Sequence, residues 1–430
     1  MDDRKAAERR IGLARLWARA KQIVTTDARG SEEDDAVIDE EVAQQLAAQA
    51  GRLKGGLAKV AQLAAMSATG GSRAALGKLW DRAPTVGAGQ IAAVIEADLG
   101  RSPQQLFASW DPTPLAAASL GQVHAARTHA GEEVVVKVQY PGVADALRAD
   151  LDDDAFVRKL AGGALGRTLD DDALAALGAA VRSELDYRAE ATAQGKFAAA
   201  WAGDPVLRVP AVYAELSSAR VLTMQRATGR SVLDVAGTGD REARRAAAAA
   251  LFRFAWGSPL AHGLLNADPN PGNFLVDLAA DGAPTVWCLD YGCTLELPAE
   301  TRDADRDLWW GLVDDDPERG AERFRMGLGR AGLLQRADTL ATTAHRDWER
   351  ALAAPVASHG DFHWTAAYAA ELAESTHRVL ANGGVRLPAR LLLLWRQRLG
   401  AAQVIALLDA QAPFRRALVD LVGTGRAALR

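Results

Sequence analysis

The loop at residues 266–274 constrains the fold of this chain more than any other segment. It reads Asn-Ala-Asp-Pro-Asn-Pro-Gly-Asn-Phe, and its prolines and glycine restrict the backbone that carries Asp268 and, five residues later, Asn273. The apolar segments that follow the loop and precede Asp290 predict a strand pair that leaves the loop and returns to it. Asp290 would then lie beside Asn273. Two oxygen-bearing side chains at adjacent strand ends are typical of a Mg²⁺ site that phosphate oxygens complete.

A lysine stands inside an apolar strand. Residues 133–139 form a β-branched run, which predicts a strand with Lys137 near its centre. A buried ammonium group is costly, so a carboxylate or phosphate partner is expected; a strand-edge lysine that points to solvent explains the pattern equally well. A predicted helix about fifty residues later carries Glu184, Asp186 and Glu190. At about 4 Å and an effective dielectric constant near 20, the attraction between a lysine and a carboxylate is on the order of 4 kcal/mol before the cost of desolvation. Any acidic helix surface would show the same residues.

Composition limits the classes of function. The 430 residues are 49% apolar, which is ample for a core in two or three subdomains. With 50 basic against 55 acidic side chains, the chain has no excess of positive charge with which to bind a phosphate backbone, so no nucleic-acid partner is expected. Cys288 and Cys293 fit neither a disulfide framework nor a zinc site, which favours a reducing compartment. The charged first residues and the short apolar runs predict a cytoplasmic protein without a signal peptide or a transmembrane span.

The distribution of residue types along the chain predicts three structural parts. Residues 1–104 are rich in helix formers and read as a helical N-terminal extension. Residues 105–227 contain the strand-like runs and form a small lobe, and residues 228–430 form a helical lobe. This is an α+β, two-lobed architecture. More locally, we expect a turn at 111–114, strands at 206–212 and 220–224, and a helix at 241–264.

The first 24 residues have the pattern of a basic amphipathic helix. Residues 1–24 hold seven basic and three acidic side chains around an apolar face, a pattern typical of peripheral contact with a membrane surface. The acidic run at 32–35 favours the alternative, in which this face packs on the body of the protein.

Transfer of a phosphoryl group from a nucleotide requires a lid over the phosphates, a cation on them, an acid to orient that cation, magnesium ligands, and a group beside the acceptor. The spacing from Asp268 to Asn273 is that of a kinase catalytic loop. With these segments joined, the chain resembles the UbiB/AarF family of atypical kinases, the ADCK group of eukaryotes, over most of residues 50–300. Further positions carry that resemblance: Ala116, Ala117, Ala118, Ser119 and Gly121 of an Ala-rich loop, Glu184 and Asp186 of a Glu-x-Asp pair, Met224 at the hinge, and Lys59 and Gln62 of a segment like the Lys-x-Gly-Gln motif, with Ala61 in place of the glycine.

The resemblance implies a role for each position. The Ala-rich loop covers the nucleotide, Lys137 contacts the α- and β-phosphates, and Glu190 orients Lys137. Asn273 and Asp290 hold Mg²⁺, and Asp268 is the base or the group that orients the acceptor. Met224 lies near adenine. Lys59 and Gln62 share a helix face and reach the nucleotide pocket and the Glu184/Asp186 pair, although a solvent-facing Lys/Gln pair also fits these two residues.

Three departures from the family pattern are informative. Asn266 and Asn270 stand where histidines are common, which changes the hydrogen bonds around Asp268. Ala267 precedes Asp268 where many protein kinases carry arginine, so a phosphorylated loop has no arginine there on which to dock. A predicted helix follows Gly292 almost at once, without an Ala-Pro-Glu sequence, so no peptide substrate is expected.

Three functions remain open at this stage. The first is an ATP-dependent kinase or ATPase that binds ATP or ADP with Mg²⁺ and acts on a small or lipid-like molecule, linked by resemblance to quinone or isoprenoid-lipid metabolism. The second is a nucleotide-responsive module that shelters a hydrophobic molecule without transferring phosphate. The third is a small-molecule phosphotransferase of the antibiotic-kinase type, against which the Lys59–Gln62 motif and the Ala-rich loop both speak.

Overall fold

The computed structural model describes residues 86–118, 120–145, 148, 182–278, 284–334, 343–382 and 385–423. They form two compact units: unit 1 holds the described residues up to Ala191 together with Val212–Arg226, and unit 2 holds Thr192–Ala211 and the described residues from Ala227 onward. The predicted domain bounds at 104/105 and 227/228 stay a prediction. Sheets and helices both occur, so the predicted α+β class is confirmed.

Unit 1 is built on one antiparallel sheet of four strands in the order β1-β2-β3-β5. Its elements are α1 (Ala88–Leu99), α2 (Pro103–Leu106), β1 (Ser109–Ala117), β2 (Gly121–Arg127), β3 (Glu133–Gln139) and β5 (Val221–Gln225), with a 3₁₀ turn at Ala214–Leu216. Helix α3 (Tyr187–Ala200) begins in this unit and continues in unit 2. The prediction of a strand at 133–139 is confirmed.

The core of unit 1 follows from the alternation of β3. Val134, Val136 and Val138 point to one face and are fully buried against Ile91 and Ile95 of α1. Successive strand residues face opposite sides, so Lys137 lies on the other face, where it is also buried. The apolar face therefore fixes the strand register and, with it, the direction in which the lysine points.

The predicted turn at 111–114 is wrong, because β1 runs through it. The strand is irregular there, with register shifts on both sides of Pro114. The carboxylate of Asp111 accepts a hydrogen bond of 2.8 Å from the amide of Thr113. β1 is an edge strand, where proline is tolerated because one side of the backbone has no strand partner. The Pro and Asp signals therefore mark a bulged edge and not a reversal.

A close backbone approach requires glycine at position 121. A Cβ atom added to Gly121 would lie 2.1 Å from the carbonyl oxygen of Val138 on the neighbouring strand. We expect Gly121→Ala to lower the free energy of unfolding by about 1–3 kcal/mol, because strands β2 and β3 would have to separate. Urea denaturation measures the effect. The matched control is Gly89→Ala on α1, where nothing lies within 4 Å of the added Cβ; equal stability of the two variants would contradict the prediction.

Unit 2 is mainly helical, with small sheets. Its helices are α4 (Val232–Ala236), α5 (Arg241–Phe252), a π-helix (Arg253–His262), α6 (Ala299–Val313), α7 (Pro317–Arg330), α8 (Thr343–Ala353), α9 (Ala366–Ala381), α10 (Ala389–Leu408) and α11 (Phe414–Gly423), with 3₁₀ turns at Pro271–Asn273 and Ala354–Val356. Its strands are β4 (Leu207–Arg208), β6 (Arg230–Ser231), β7 (Leu264–Asn266), β8 (Phe274–Asp277), β9 (Thr285–Cys288), β10 (Thr294–Glu296), β11 (Phe362–Trp364) and β12 (Ala410–Ala412). One sheet has the order β4-β9-β8-β6, and β7 pairs with β10 and β11 with β12.

Two predictions of secondary structure in unit 2 need correction. The helix expected at 241–264 is an α-helix only to Phe252; it continues as the π-helix with Pro259 inside it, and strand β7 begins at Leu264. The strand expected at 206–212 is reduced to the two residues of β4. The predicted pair that leaves the loop and returns is confirmed as β8 and β9, with Phe274 opposite Cys288.

Aromatic rings fill the core of unit 2. Phe252 stacks on Trp256 with 4.5 Å between centroids, and Trp364 lies 5.0 Å from Phe414. In the described part of the chain, one stretch, Leu391–Leu408 of α10, is long and apolar enough to cross a membrane, yet 72% of it is buried inside the protein. Helix α10 is therefore the central core helix of this unit.

Candidate functional site

Lys137 and Glu190 form a buried ion pair in unit 1. The lysine Nζ donates to both carboxylate oxygens, at 2.7 and 3.0 Å, and the side chains are only 8% and 1% exposed. The ammonium group also lies 5.1 Å from the ring centroid of Tyr187, a cation–π distance. The structure thus answers the question that the sequence left open: Lys137 points into the protein and has a carboxylate partner.

The segment before Glu190 is a helix start and not one continuous helix. Helix α3 begins at Tyr187, and the carboxylate of Asp186 accepts a hydrogen bond of 3.0 Å from the amide of Arg188, as an N-cap does. Glu184 lies two residues before Asp186, in a turn, and is buried. The three carboxylates predicted on one helix therefore differ: of the three, only Glu190 lies within helix α3, where it meets Lys137.

The Ala-rich segment is the hairpin between β1 and β2. Ala116 and Ala117 pair with Val123 and Gln122, and the amide of Ala118 donates to the carbonyl of Gly121 at 2.8 Å. On β5, Met224 is buried and opposite Val135, on the strand that carries Lys137. Four of the predicted elements lie outside the described residues: Ser119, Lys59, Gln62 and the amphipathic segment 1–24.

In unit 2, the 266–274 loop is held by its own polar side chains. Asn273 donates from Nδ2 to the backbone carbonyl of Asp268 at 3.1 Å and to its Oδ2 at 3.3 Å. The carboxamide oxygen of Asn270 accepts from the amide of Gly272 at 2.9 Å, which closes the turn. Because Nδ2 of Asn273 is committed to Asp268, its oxygen Oδ1 is the atom left to bind a cation.

Asn266 ties the loop to the Asp290 segment. Its Nδ2 donates to the backbone carbonyl of Asp290 at 2.7 Å, and its Oδ1 accepts from the amide of Asp268 at 3.2 Å. The amide of Leu289 donates to the carbonyl of Asn273 at 2.9 Å. The structure therefore brings Asp268, Asn273 and Asp290 into one hydrogen-bonded network, and the asparagine at 266 serves as its connector.

The next residues anchor Asp290 from the other side. Oδ1 of Asp290 accepts from the amide of Gly292 at 2.9 Å. Tyr291 is fully buried, donates from its hydroxyl to the carbonyl of Cys288 at 2.9 Å, and lies 5.0 Å from the ring of Phe197. Burial raises the pKa of the Tyr291 hydroxyl and that of the Cys288 thiol, so both groups stay protonated and act as packing elements.

The donor set fits Mg²⁺ better than a transition metal. Within the described residues, no group of three His, Cys, Asp or Glu side chains is arranged to hold a metal. The carboxylate of Asp290 and the amide oxygen of Asn273 are hard oxygen donors, a type that would suit Mg²⁺ when phosphate oxygens and water supply the rest.

Helix α10 supplies residues that the sequence analysis missed. Gln397 accepts a hydrogen bond of 2.8 Å from the amide of Asn266 and donates to the carbonyl of Ala255 at 2.7 Å. Arg396 places Nη2 3.8 Å from Oδ1 of Asp268. No local motif marks these residues, because they are far from the loop in sequence and read as part of an apolar helix.

Comparison with known proteins agrees with this geometry. The model of the ABC1 atypical kinase-like domain matches residues 78–324. The rat mitochondrial atypical kinase COQ8B is 30% identical over 332 residues, which cover 77% of this chain and 62% of that protein. The probable protein kinase UbiB of Pseudomonas putida is 33% identical over 232 residues, which cover 52% of this chain and 42% of that protein. The chain thus spans about half the length of these two relatives.

One solved structure is similar over nearly the whole chain. It is the Mycobacterium tuberculosis protein Rv3197 in complex with erythromycin, with a TM-score of 0.64 and 28% sequence identity, covering 91% of this chain and 98% of that one. The family model spans more than half of the present chain and includes Lys137, Glu190 and the whole 266–292 network. The chain therefore belongs to the ABC1 atypical kinase-like family, to which the UbiB and COQ8 proteins belong, and its fold is kinase-like.

Proposed function

We propose that this chain binds ATP with Mg²⁺ and releases or transfers the terminal phosphoryl group, in response to or onto a small or lipid-like molecule. The observation that carries this proposal is the buried Lys137–Glu190 pair. A hydrophobic pair of similar volume would stabilise the fold at least as well. A charged lysine retained in the middle of a buried strand is better explained by a ligand with phosphates, which a lysine aimed by a carboxylate can bind.

Each group has a role that its contacts support. Lys137 binds the α- and β-phosphates, and Glu190 fixes its direction through two hydrogen bonds. Asn273 and Asp290 hold the metal, and Asp268, with one oxygen bonded to Asn273, orients the acceptor hydroxyl or water. The hairpin at Ala116–Gly121 covers the nucleotide, and Met224 lies near the base. When bound, ATP with Mg²⁺ supplies the phosphoryl group; the protein positions it and neutralises charge.

The remaining site assignments follow the family pattern. Glu184 and Asp186 would meet Lys59 and Gln62 of the N-terminal extension, which would exclude peptides. We place the kinase-like lobes at 105–227 and 228–430. A quinone or isoprenoid lipid is the proposed class of acceptor or effector, supported by the UbiB and COQ8 relatives.

Phosphate release from ATP tests the proposal directly. We expect the purified protein to release phosphate in the presence of Mg²⁺, and faster with vesicles that contain a quinone, while Asp290→Asn releases none above background. EDTA should abolish the activity of the wild type. Equal phosphate release by the wild type and Asp290→Asn would refute the metal assignment.

The similarity to the erythromycin-bound structure favours a second candidate. That protein was solved in complex with erythromycin, a macrolide, and the likeness covers nearly its whole chain. A nucleotide-responsive module that binds such a molecule without phosphoryl transfer fits the same site. Erythromycin added to the phosphate-release assay and to a thermal-shift assay separates the two: stabilisation by the macrolide without any phosphate release supports the second candidate.

A further inference from the structure

One face of helix α10 forms a seat for the loop that carries Asp268. Arg396, Gln397 and Gly400 lie within about 100° of one another around the helix axis, since successive helix residues are 100° apart. Gln397 bonds the amide of Asn266 at 2.8 Å. A Cβ atom on Gly400 would lie 2.1 Å from Cγ of Pro269, so the proline ring rests directly on the helix backbone. We call these three residues the α10 seat.

Arg396 is the charged member of the seat. Its side chain is 6% exposed, and its Nη2 lies 3.8 Å from Oδ1 of Asp268, a charge contact longer than a hydrogen bond. Its Nε is buried and has no hydrogen-bond partner in the part of the chain that the structure describes. A buried guanidinium group is costly unless a charge compensates it, and the carboxylate of Asp268 lies beside Arg396 to do so.

The two oxygens of Asp268 therefore have different neighbours. Oδ2 accepts from Asn273 at 3.3 Å, and Oδ1 faces Arg396. The residue before Asp268 is Ala267, which is fully buried and carries no charge. The cation beside Asp268 thus comes from a distant helix, and a planar guanidinium group with several donors restricts the orientation of a carboxylate more than a lysine does.

We propose that Arg396 is a positioning residue for Asp268, and that the α10 seat sets the orientation in which Asp268 meets the acceptor. This inference rests on the proposed function for its catalytic consequence. The contact of the α10 seat with the loop can be tested without measuring turnover.

The catalytic arm compares Arg396→Met with Arg396→Lys. We expect the methionine variant to lower kcat for phosphate release about 100-fold, the cost of a small misplacement at a reacting centre, while KM for ATP changes less than about twofold. The lysine variant, which keeps the charge, should recover part of kcat. A methionine variant with the kcat of the wild type, or a loss that appears only in KM, would overturn the proposal.

Arg398→Met is the matched control. Arg398 is also a buried arginine of α10, but it faces the core, where it donates to both carboxylate oxygens of Asp305 at 2.6 Å. Loss of this pair should lower the melting temperature without lowering kcat of the folded protein. If both arginine variants lose kcat in proportion to stability, Arg396 has only a structural role.

Amide hydrogen exchange of the peptide 266–274 is the arm that needs no activity. We expect faster exchange in Arg396→Met and no change in Arg398→Met; unchanged exchange in the first variant would overturn the proposed role of the seat.

If the wild type releases no phosphate, the proposed function fails, while the exchange experiment still decides this inference. If Arg396→Met is not recovered folded, Gly400→Ala takes its place, because the added methyl displaces Pro269: faster exchange at 266–274 supports the seat, and wild-type exchange overturns it.

Discussion

Glu190→Ala is expected to lower the free energy of unfolding by about 3 kcal/mol, which is the low end of the cost of removing one member of a buried ion pair. The change removes both hydrogen bonds of 2.7 and 3.0 Å that Lys137 donates. The ammonium group stays between β3 and α3, with the ring of Tyr187 5.1 Å away as a much weaker neighbour. Urea denaturation followed by circular dichroism measures the loss.

The double variant Lys137→Met/Glu190→Leu separates stability from function. Because it replaces the pair by apolar side chains of similar volume, we expect stability within about 1 kcal/mol of the wild type or above it. The same protein should show no stabilisation by ATP with Mg²⁺. Together, these results would show that the pair is kept for a phosphate-bearing ligand. A Glu190→Ala variant as stable as the wild type would show that the lysine does not depend on this carboxylate.

Local signals in the sequence were sufficient where one segment carries the geometry. Within the 266–274 loop, Asn270 accepts from the amide of Gly272 and Asn273 donates to the carbonyl of Asp268. The proximity of Asp268 and Asn273 is therefore determined by residues that are close in sequence. The β8–β9 pair that returns to Asp290 has alternating apolar residues and was equally readable. The valines of β3 predicted their strand for the same reason.

Local sequence signals did not predict the contacts between residues that are far apart in the chain. The Lys137–Glu190 contact joins residues 53 positions apart; the sequence pattern offered three candidate carboxylates, and only the family resemblance singled out Glu190. Gln397 accepts a hydrogen bond from Asn266, which is 131 positions away in the chain. The sequence of its helix is typical of an apolar core helix, and nothing in it indicates a contact with the 266–274 loop. At 111–114, proline and aspartate have the same local signature in a turn and in a bulged edge strand, and the pairing with β2 settled the outcome.

The asparagine at 266 shows how a departure from the family pattern is accommodated. Its amide group donates to Asp290 and accepts from Asp268 at once. A carboxamide has a donor and an acceptor at every pH, whereas a histidine ring changes its donors with protonation. The link between the loop and Asp290 therefore does not depend on a titrating group at this position.

Asp290→Asn and Asp268→Asn are expected to lose different properties, ATP binding and turnover respectively, although one hydrogen-bonded network joins the two residues. Asp290 is the carboxylate proposed for the metal, so its loss should remove Mg²⁺-dependent binding of ATP. At about 100 times the dissociation constant, a ligand stabilises a protein by about 2.7 kcal/mol, and most of this should vanish in Asp290→Asn. Asp268 is proposed to act on the acceptor, so Asp268→Asn should keep the ATP-dependent stabilisation and lose about 10²–10⁴-fold in kcat.

Thermal shift with ATP and Mg²⁺, and phosphate release at saturating ATP, measure the two effects in the same samples. Asp277→Asn is the matched control, because Asp277 lies at the opposite end of the β8–β9 pair, opposite Thr285, and bonds Thr228. It should retain both binding and turnover. If Asp268→Asn also loses the thermal shift, its carboxylate contributes to metal binding and not only to the acceptor. If Asp290→Asn retains the shift, the metal lies elsewhere, and the oxygen set at the end of the β8–β9 pair is not its site.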